Sequence, residues 1–558
     1  MAILGKWMLR LRGSDSRNAT RSESDSAGPE IVIVESDIER QTFPSNWWNR
    51  LSDRDEHFPS REKDRIAVTM HAKEQDVDYD VIIVGAGISG INFAYRLQER
   101  NPELSYCILE ERHEIGGTWS LFQYPGIRSD SDLFTFGFAW RPWTRKQSIA
   151  HGSLIAEYMR NCVAEEGIDT NIKLNHRVNK MSWSTSSKAW TLDLTVDKTT
   201  SSTLRSRFVL FGTGYYDYHQ PLQADIPGIQ NFTGTLVHPQ YWPKDLDYKD
   251  KNVVIIGSGA TAITLLPNIA KEAGHVTMLQ RSPSYILSVP NEDFVEKLIR
   301  LLLPRMLAGK LIRFKWILVP LLMVNFCRSF PRLARKSLMI LTAKELPKGM
   351  PLDPNFTPNY NPWEQRLCMC PESDFYESMR NGKAEVKTDV IENVDERSIQ
   401  LKSGEKLHPD IIVTATGLKL CIAGGIKIFV DGSQYDIGDN FMWKFAMMNN
   451  LPNAVFAFGY IDASWTLGAD VAAILACRLL RKMNKDRATM VVPRMGAEEK
   501  EHITKLPFLD LKATYVREAQ NVVPNLGDLS VWKPRSYYWR DLTVAVYGSL
   551  QKGLEWTL

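Results

Sequence analysis

Two short apolar runs, each ending in a glycine-rich turn that leads into a helix-like stretch, restrict this chain more than any other feature. The first is Asp80–Val84, followed by Gly85-Ala86-Gly87-Ile88-Ser89-Gly90, a helical stretch through Arg100, and a second apolar run, Tyr106–Leu109. The same grammar returns about 170 residues later. There Asn252–Ile256 leads into Gly257-Ser258-Gly259-Ala260-Thr261-Ala262, a helix to about Glu272, and Val276–Leu279. Strand, glycine turn, helix, strand is the signature of a dinucleotide-binding fold. Ile411–Gly417 reads as one more buried strand ending in a glycine turn. The expected class is α/β, with two Rossmann-like dinucleotide-binding domains.

The residue types in these turns carry a chemistry. Gly85 permits the tight turn, Gly87 lets backbone approach a pyrophosphate, and Gly90 lets helix and strand pack closely. The helix N-terminus behind them favours an anion. Glu110 follows Gly90 by 20 residues, where an acid would accept ribose hydroxyls. The alternative is a glycine turn with no ligand. The second site ends differently: Arg281, followed by Ser282, stands where an acid would be expected. An arginine pairs with a ribose 2′-phosphate that an acid would repel, so this site is expected to prefer NADPH over NADH. The alternative is that Arg281 is a surface charge. Two such sites in one chain imply that reducing equivalents pass from NADPH to a bound flavin, FAD.

Size and charge set the frame. A chain of 558 residues exceeds one core. Its 44% hydrophobic and 24% charged content is ordinary for a globular protein, and a net charge of +3 argues against a nucleic-acid partner. The distribution is less even. Between Lys297 and Lys348 there are 12 Lys/Arg and one acid, a local +11 that leaves the remainder of the chain at −8. Seven scattered cysteines with no CxxC pair read as reduced thiols, and the ten histidines form no HExxH or zinc-like spacing, so no metal is expected. Lys6 and Arg10 interrupt the apolar start, and Asp15, Glu23 and Asp25 count against a transit peptide. A cytoplasmic protein is expected.

The expected divisions are an N-terminal extension, largely disordered, over 1–77, with Trp47 and Trp48 as candidates to dock it. An FAD-binding domain follows in two parts, 78–220 and 411–558. An NADPH-binding domain, also in two parts, occupies 221–284 and 351–410. A basic, apolar helical lid over 285–350 interrupts the second domain. Within the lid, Trp316–Val324 is broken by Pro320 and is too short for the roughly 20 residues that span a bilayer. Its interleaved Arg and Leu residues fit either a lid over a site or peripheral contact of 297–348 with a membrane surface.

One more motif is specific. Phe232-x-Gly234-x-x-x-His238-x-x-x-Trp242-Pro243 fixes five residues at set offsets just before the second fold. A chance match is on the order of a few in 10^5 at ordinary composition. It is similar to the fingerprint of type I Baeyer–Villiger monooxygenases, class B flavoproteins, and its flanking by two Rossmann motifs matches that family too. On the residues alone, His238 and Trp242 equally read as a linker packed at a domain interface, and such residues would transmit domain rotation. The resemblance extends from about Tyr79 to the C-terminus. Gly116-Gly117-Thr118-Trp119 and Tyr124–Asp132, with Arg128, Ser129 and Asp130, look like the family's flavin-contacting segment. Val178 resembles its backbone contact to the FAD adenine; an ordinary strand valine is the alternative. The wording of 128–132, Asn361–Cys368 and Asp462–Leu467 is most similar to the ethionamide-activating subgroup, in which ketone and sulfur oxidation occur on one site.

What the resemblance implies is a reaction. NADPH reduces FAD, O2 adds at flavin C4a, and the anionic peroxyflavin attacks a ketone carbonyl to give an ester or lactone. Arg366 would be the fixed cation beside that anion, and Asp130 would orient it. The alternatives are a structural ion pair for Arg366 and a turn acid for Asp130. The expected partners are a small lipophilic substrate and O2. Rival readings are N- or S-oxygenation and a flavoprotein reductase that makes no product; the single-residue gap of Cys368-x-Cys370 argues against a disulfide reductase. Oligomeric state is left open.

Overall fold

The computed structural model describes residues 77–558 apart from Arg366 and 511–513. The extension expected over 1–77 lies, but for Val77, outside them. From Val77 the chain runs through β1 (Tyr79–Val84), α1 (Ile88–Arg100), β2 (Tyr106–Leu109), β3 (Ile172–Lys173), β4 (His176–Ser184), β5 (Ala189–Val196) and β6 (Thr200–Phe211). Next come β7 (Thr235–Val237), β8 (Asn252–Ile256), α2 (Ala260–Ile269), β9 (His275–Gln280) and β10 (Ile286–Val289). Three consecutive helices follow: α3 (Phe294–Leu302), α4 (Arg305–Ser329) and α5 (Pro331–Glu345). The chain then passes through β11 (Cys368–Pro371), α6 (Asp374–Arg380), β12 (Ala384–Thr388), β13 (Ile411–Thr414), β14 (Lys427–Val430), β15 (Ser433–Gln434), β16 (Ala454–Phe456) and α7 (Trp465–Asp486).

Two parallel sheets form around the two glycine turns. The first has the order β3-β2-β1-β6-β16, with Val84 beside both Leu109 and Phe211. Its central strands read as unbroken apolar runs because helices cover both faces. Val81, Ile82 and Ile83 have no exposed surface. The 12-residue β6 leaves this sheet at its N-terminal end, where it pairs antiparallel with β5 and so joins β4, β14 and β15. The second sheet has the order β12-β9-β8-β13-β7, parallel throughout. In both, strand order reverses beside the strand that carries the glycine turn, between β1 and β6 and between β8 and β13. A crevice at the strands' C-terminal ends follows from that reversal, and ligands of open α/β sheets bind in such crevices.

The helices α3–α5 fill the span between the paired strands β10 and β11. The sequence broke this apolar run at Pro320, whereas α4 continues through it. Proline forfeits one hydrogen bond to the preceding turn, and packing against α3 and α5 holds the helix on either side. No helix among the described residues is long and apolar enough to cross a membrane. Buried charge ties the three-helix unit down. Asp293 caps α3 through the amides of Val295 and Glu296, and pairs with Lys315 of α4 at 2.6 Å. Glu296 lies 3.6 Å from the same lysine and accepts from the Trp316 indole; burial nonetheless pushes its carboxyl up to about 7. Arg313 donates to the carbonyls of Phe134 and Gly137 at 2.9 and 2.8 Å, so α4 is bonded to the segment that follows Asp132.

One buried ion pair joins the first glycine-turn helix to the C-terminal part of the chain. Arg96 of α1 grips Asp470 of α7 with two hydrogen bonds, of 2.8 and 3.0 Å, and Asn92 adds a third. Burial pushes the Asp470 carboxyl up, but Arg96 beside it outweighs this and holds it below the ordinary carboxylate range. Asp470→Ala leaves the guanidinium buried with a partner removed. The expected loss is about 3–5 kcal/mol, read from the urea midpoint of the flavin-loaded protein.

Candidate functional site

At the first crevice three backbone segments come closer than any side chain would allow. A Cβ on Gly90 would lie 1.8 Å from the Gly85 carbonyl oxygen, and one on Gly85 would lie 2.9 Å from that of Gly212. Gly85 also has φ +97°, a conformation that side chains disfavour. Gly212 stands at the end of β6, so the crevice is closed by glycine from both of its strands. Gly87 caps α1 with no side-chain hydrogen bond, and the first turn holds no acid. The amides there are thus left for an anion.

Glu110 ends β2 and is buried, as its expected position requires. Its two carboxylate oxygens accept from the amides of Ala86 at 2.7 Å and Arg112 at 3.0 Å. Burial raises its pKa, and those two amides oppose the rise. Each oxygen keeps a lone pair for a ribose hydroxyl. Gly117 approaches Gly87 closely: a Cβ there would lie 3.1 Å from the Gly87 Cα. The Gly116–Trp119 segment therefore lies against the first glycine turn. Thr118 meets the Tyr218 hydroxyl at 3.0 Å, and Trp119 packs edge-on against Phe136. Val178 is buried on β4. A pyrophosphate, a ribose and a flavin thus have a glycine cradle, an acid and a second loop converging at one crevice, and FAD fits these residues.

The second crevice repeats the design with one change. Gly257 has φ +142°, and a Cβ on it would lie 2.3 Å from the Ala415 carbonyl at the end of β13. Gly259, the cap of α2, has nothing within 4 Å of a Cβ position, which leaves open space at the helix N-terminus. Ala262 replaces the third glycine and is fully buried. Tyr124 packs on the apolar cluster that includes the buried face of α2, which sets the 124–132 segment against that helix. Ser258 accepts from Ser284 at 3.2 Å. Arg281, exposed, follows β9, and Ser282 is next to it. NADPH fits this set, with Gly257–Ala262 facing a pyrophosphate and Arg281-Ser282 at the end of the neighbouring strand.

Between the crevices runs Tyr124–Asp132. A Cβ on Gly126 would lie 1.9 Å from Asn268 of α2, so this turn sits directly on the second fold. Arg128 is ion-paired with Asp374 at the start of α6, and buried Ser129 bonds to the Ala150 carbonyl through its amide. Asp130 is exposed, and Asp132 caps the short helix Leu133–Phe136; burial pushes the Asp132 carboxyl up to about 6. Arg366 lies outside the described residues. Of its neighbours, Trp363 has φ +72°, strained for an aromatic residue, and Leu367 is buried with Tyr285, Leu338 and Tyr360.

The Phe232–Pro243 motif joins the two folds. A Cβ on Gly234 would lie 2.6 Å from the Asp410 carbonyl, which seats β7 beside β13. His238 caps a short turn by accepting from the Gln240 amide at 3.2 Å, and burial lowers its pKa. Phe232 and Trp242 pack on the two apolar clusters of the second fold. Gln240 and Tyr241 donate to the carbonyls of Asp217 and Tyr218 at 2.7 and 3.1 Å. Tyr218 in turn meets Thr118, so the motif reaches the flavin-side loop through one intervening residue. Sequence reasoning missed Tyr218, which no local pattern marks, and gave no individual role to Tyr124 or Trp465 within the motifs that contain them; the Trp465 indole donates to Ser89 at 2.9 Å and stacks on Tyr215.

Comparisons with known proteins bear on the family and the fold. The profile of the pyridine nucleotide-disulphide oxidoreductase family matches residues 82–301. The FAD-containing monooxygenase EthA of Mycobacterium tuberculosis is 43% identical over 473 residues, 84% of this chain and 96% of the relative. The probable FAD-binding monooxygenase AlmA of Acinetobacter baylyi is 44% identical over 83% of this chain and 92% of its own. Among solved structures, a steroid monooxygenase bound to NADP superposes with a TM-score of 0.65 at 19% identity, over 86% of this chain and 99% of that one. The polycyclic ketone monooxygenase of Thermothelomyces thermophila reaches 0.67 at 18%, over 86% and 89%. At such identities the likeness is one of fold. All seven cysteines are free thiols, and no metal-binding cluster occurs among the described residues.

Proposed function

Because this chain belongs to the FAD-containing monooxygenase family, and so works with FAD and NADP, we propose that it inserts one atom of O2 into a lipophilic ketone. The ketone, O2, NADPH and a proton give an ester or lactone, water and NADP+. The observation that carries this reading is the Phe232–Pro243 motif, whose Trp-Pro ending resembles that of Baeyer–Villiger enzymes. The ketone named for one neighbour of similar fold is in keeping with it.

Bound FAD, reduced by NADPH, supplies the activation of O2. The chain's part is placement and charge. Gly85, Gly87 and Gly90 bring the α1 amides to the pyrophosphate, Glu110 accepts the ribose hydroxyls, and Val178 offers backbone to the adenine. Gly117, Thr118, Trp119, Arg128 and Ser129 frame the flavin; Arg128 does so through its hold on Asp374. Arg366 would supply the guanidinium charge that stabilises the anionic oxidant, and Asp130 would orient it. Gly234, His238 and Pro243 set the turn through which the two folds move together.

Arg281 and Ser282 hold the 2′-phosphate. Arg281→Ala should raise KM for NADPH about 10- to 100-fold, the equivalent of ~1.5–3 kcal/mol for a lost charge-assisted bond, and leave KM for NADH nearly unchanged. Steady-state rates with both coenzymes check it.

The deciding experiment is turnover with NADPH, isotopically labelled O2 and a panel of ketones and sulfides. One labelled oxygen in an ester is the expected product. Recovery of all O2 as H2O2 across the panel would sink the reading. Oxygenation of sulfides alone would favour the second reading, S- or N-oxygenation, which the resemblance to the ethionamide-activating subgroup supports.

A further inference from the structure

We infer that the outer face of the helical insertion is a docking surface for an anionic lipid bilayer. Along α3 the exposed large apolar residues are Phe294, Leu298, Leu301 and Leu302, at spacings of 4, 7 and 8 from the first, which places them on one face. On α4 the next exposed set is Met306, Leu307, Leu311 and Phe314, again one face, opposite the buried Ala308 and Ile312. Phe294 is 75% exposed, Leu301 80% and Met306 73%, so most of each side chain faces solvent. Such a run of large apolar residues in water is costly and marks a contact surface.

Charge selects the partner. Exposed Lys310 falls on the same face of α4 as the apolar residues, exposed Arg305 opens that helix, and exposed Arg332, Lys336, Lys344 and Lys348 extend the basic surface along and beyond α5. The whole block carries +11. A second copy of the chain would set two such blocks against each other. An anionic bilayer meets both demands, because headgroups neutralise the cations while the acyl boundary takes the Leu, Met and Phe side chains. The contact is interfacial, since no described helix can span. Arg313 bonds the far side of the unit to the body of the protein, and the Asp293–Lys315 pair fixes α3 to α4, so the apolar stripe is presented on a fixed platform.

Co-sedimentation of the full-length, flavin-loaded protein with vesicles tests this. One set is phosphatidylcholine with phosphatidylglycerol, the other phosphatidylcholine alone. The expected result is binding to the anionic set, at least tenfold weaker to the neutral set, and weakened by salt. The L301S/L302S/M306S variant and the R305E/K310E variant should each lose at least tenfold, while NADPH oxidation in solution is unchanged, because these residues are exposed and lie outside both crevices. Equal sedimentation of the apolar variant and the parent would overturn the proposal, as would failure of the parent to bind anionic vesicles. Self-association that the apolar variant abolishes and anionic vesicles do not displace would overturn it too, in favour of a second copy. Retention on acidic protein but not on vesicles would do so in favour of a protein partner.

Discussion

Gly90→Ala is expected to yield protein that purifies without its yellow colour, with flavin absorbance per chain below about a tenth of the parent's. The added Cβ would sit 1.8 Å from the Gly85 carbonyl oxygen, 3.0 Å from its carbon and 3.4 Å from the Ile83 side chain. The obstacle is backbone, which cannot rotate aside as a flexible side chain would. Gly212 blocks retreat in the other direction, because it packs so closely that a Cβ on it would lie 2.7 Å from the Gly90 amide nitrogen. Relief therefore requires α1 to move away from β1, and that movement withdraws the helix amides from the pyrophosphate. Overpacking of this kind costs about 1–3 kcal/mol or more in ordinary cores. Here the cost falls on the cofactor cradle. Gly259→Ala supplies the contrast, since a Cβ there meets no protein atom within 4 Å. That variant should stay folded and yellow but be reduced slowly by NADPH, because the methyl group occupies the space left for the coenzyme. Absorbance spectra and anaerobic reduction rates read both outcomes. A yellow, fully loaded Gly90→Ala protein would mean that the crevice is not where flavin binds.

Arg366→Ala is expected to uncouple the two halves of the reaction. NADPH should still reduce the flavin at close to the parental rate, because the residues proposed for coenzyme binding are untouched. Ester formation should fall by roughly 10^2- to 10^3-fold, the usual consequence of removing one group that stabilises developing oxyanion charge. NADPH oxidation would then continue with H2O2 as its product. Arg366→Lys should recover little, since an ammonium cannot reproduce the planar, two-pronged geometry of guanidinium against a carboxylate. Asp130→Asn should share the pattern in weaker form. Normal ester yield from Arg366→Ala would remove this residue from the mechanism while leaving the flavin and NADP sites intact.

The two halves of the site were not equally legible. Gly85, Gly87, Gly90 and Glu110 could be proposed because each satisfies a local demand: a turn, a close approach, a helix start, an acid at the next strand end. Arg281 was proposed the same way, by its place after the second strand. The segment 124–132 was different. Its residues resemble a flavin-contacting stretch, yet its position on α2 depends on Gly126 meeting Asn268, and Arg128 is claimed by Asp374. Neither partner has any periodic relation to that segment.

By itself, then, the sequence determined two dinucleotide folds, where each begins and at which end of each the glycine turn lies. It could do so because apolar period, glycine and end-of-strand charge act over a few residues. Only the tertiary structure decided that Gly212 closes the first crevice and that Arg96 and Asp470 lock α1 to a helix more than 370 residues away. It also decided that α4 runs through Pro320 and that Arg313 fastens the inserted helices to the carbonyls of Phe134 and Gly137. Those contacts join segments far apart in the chain. Their geometry is set by packing and burial, which no window of local sequence contains.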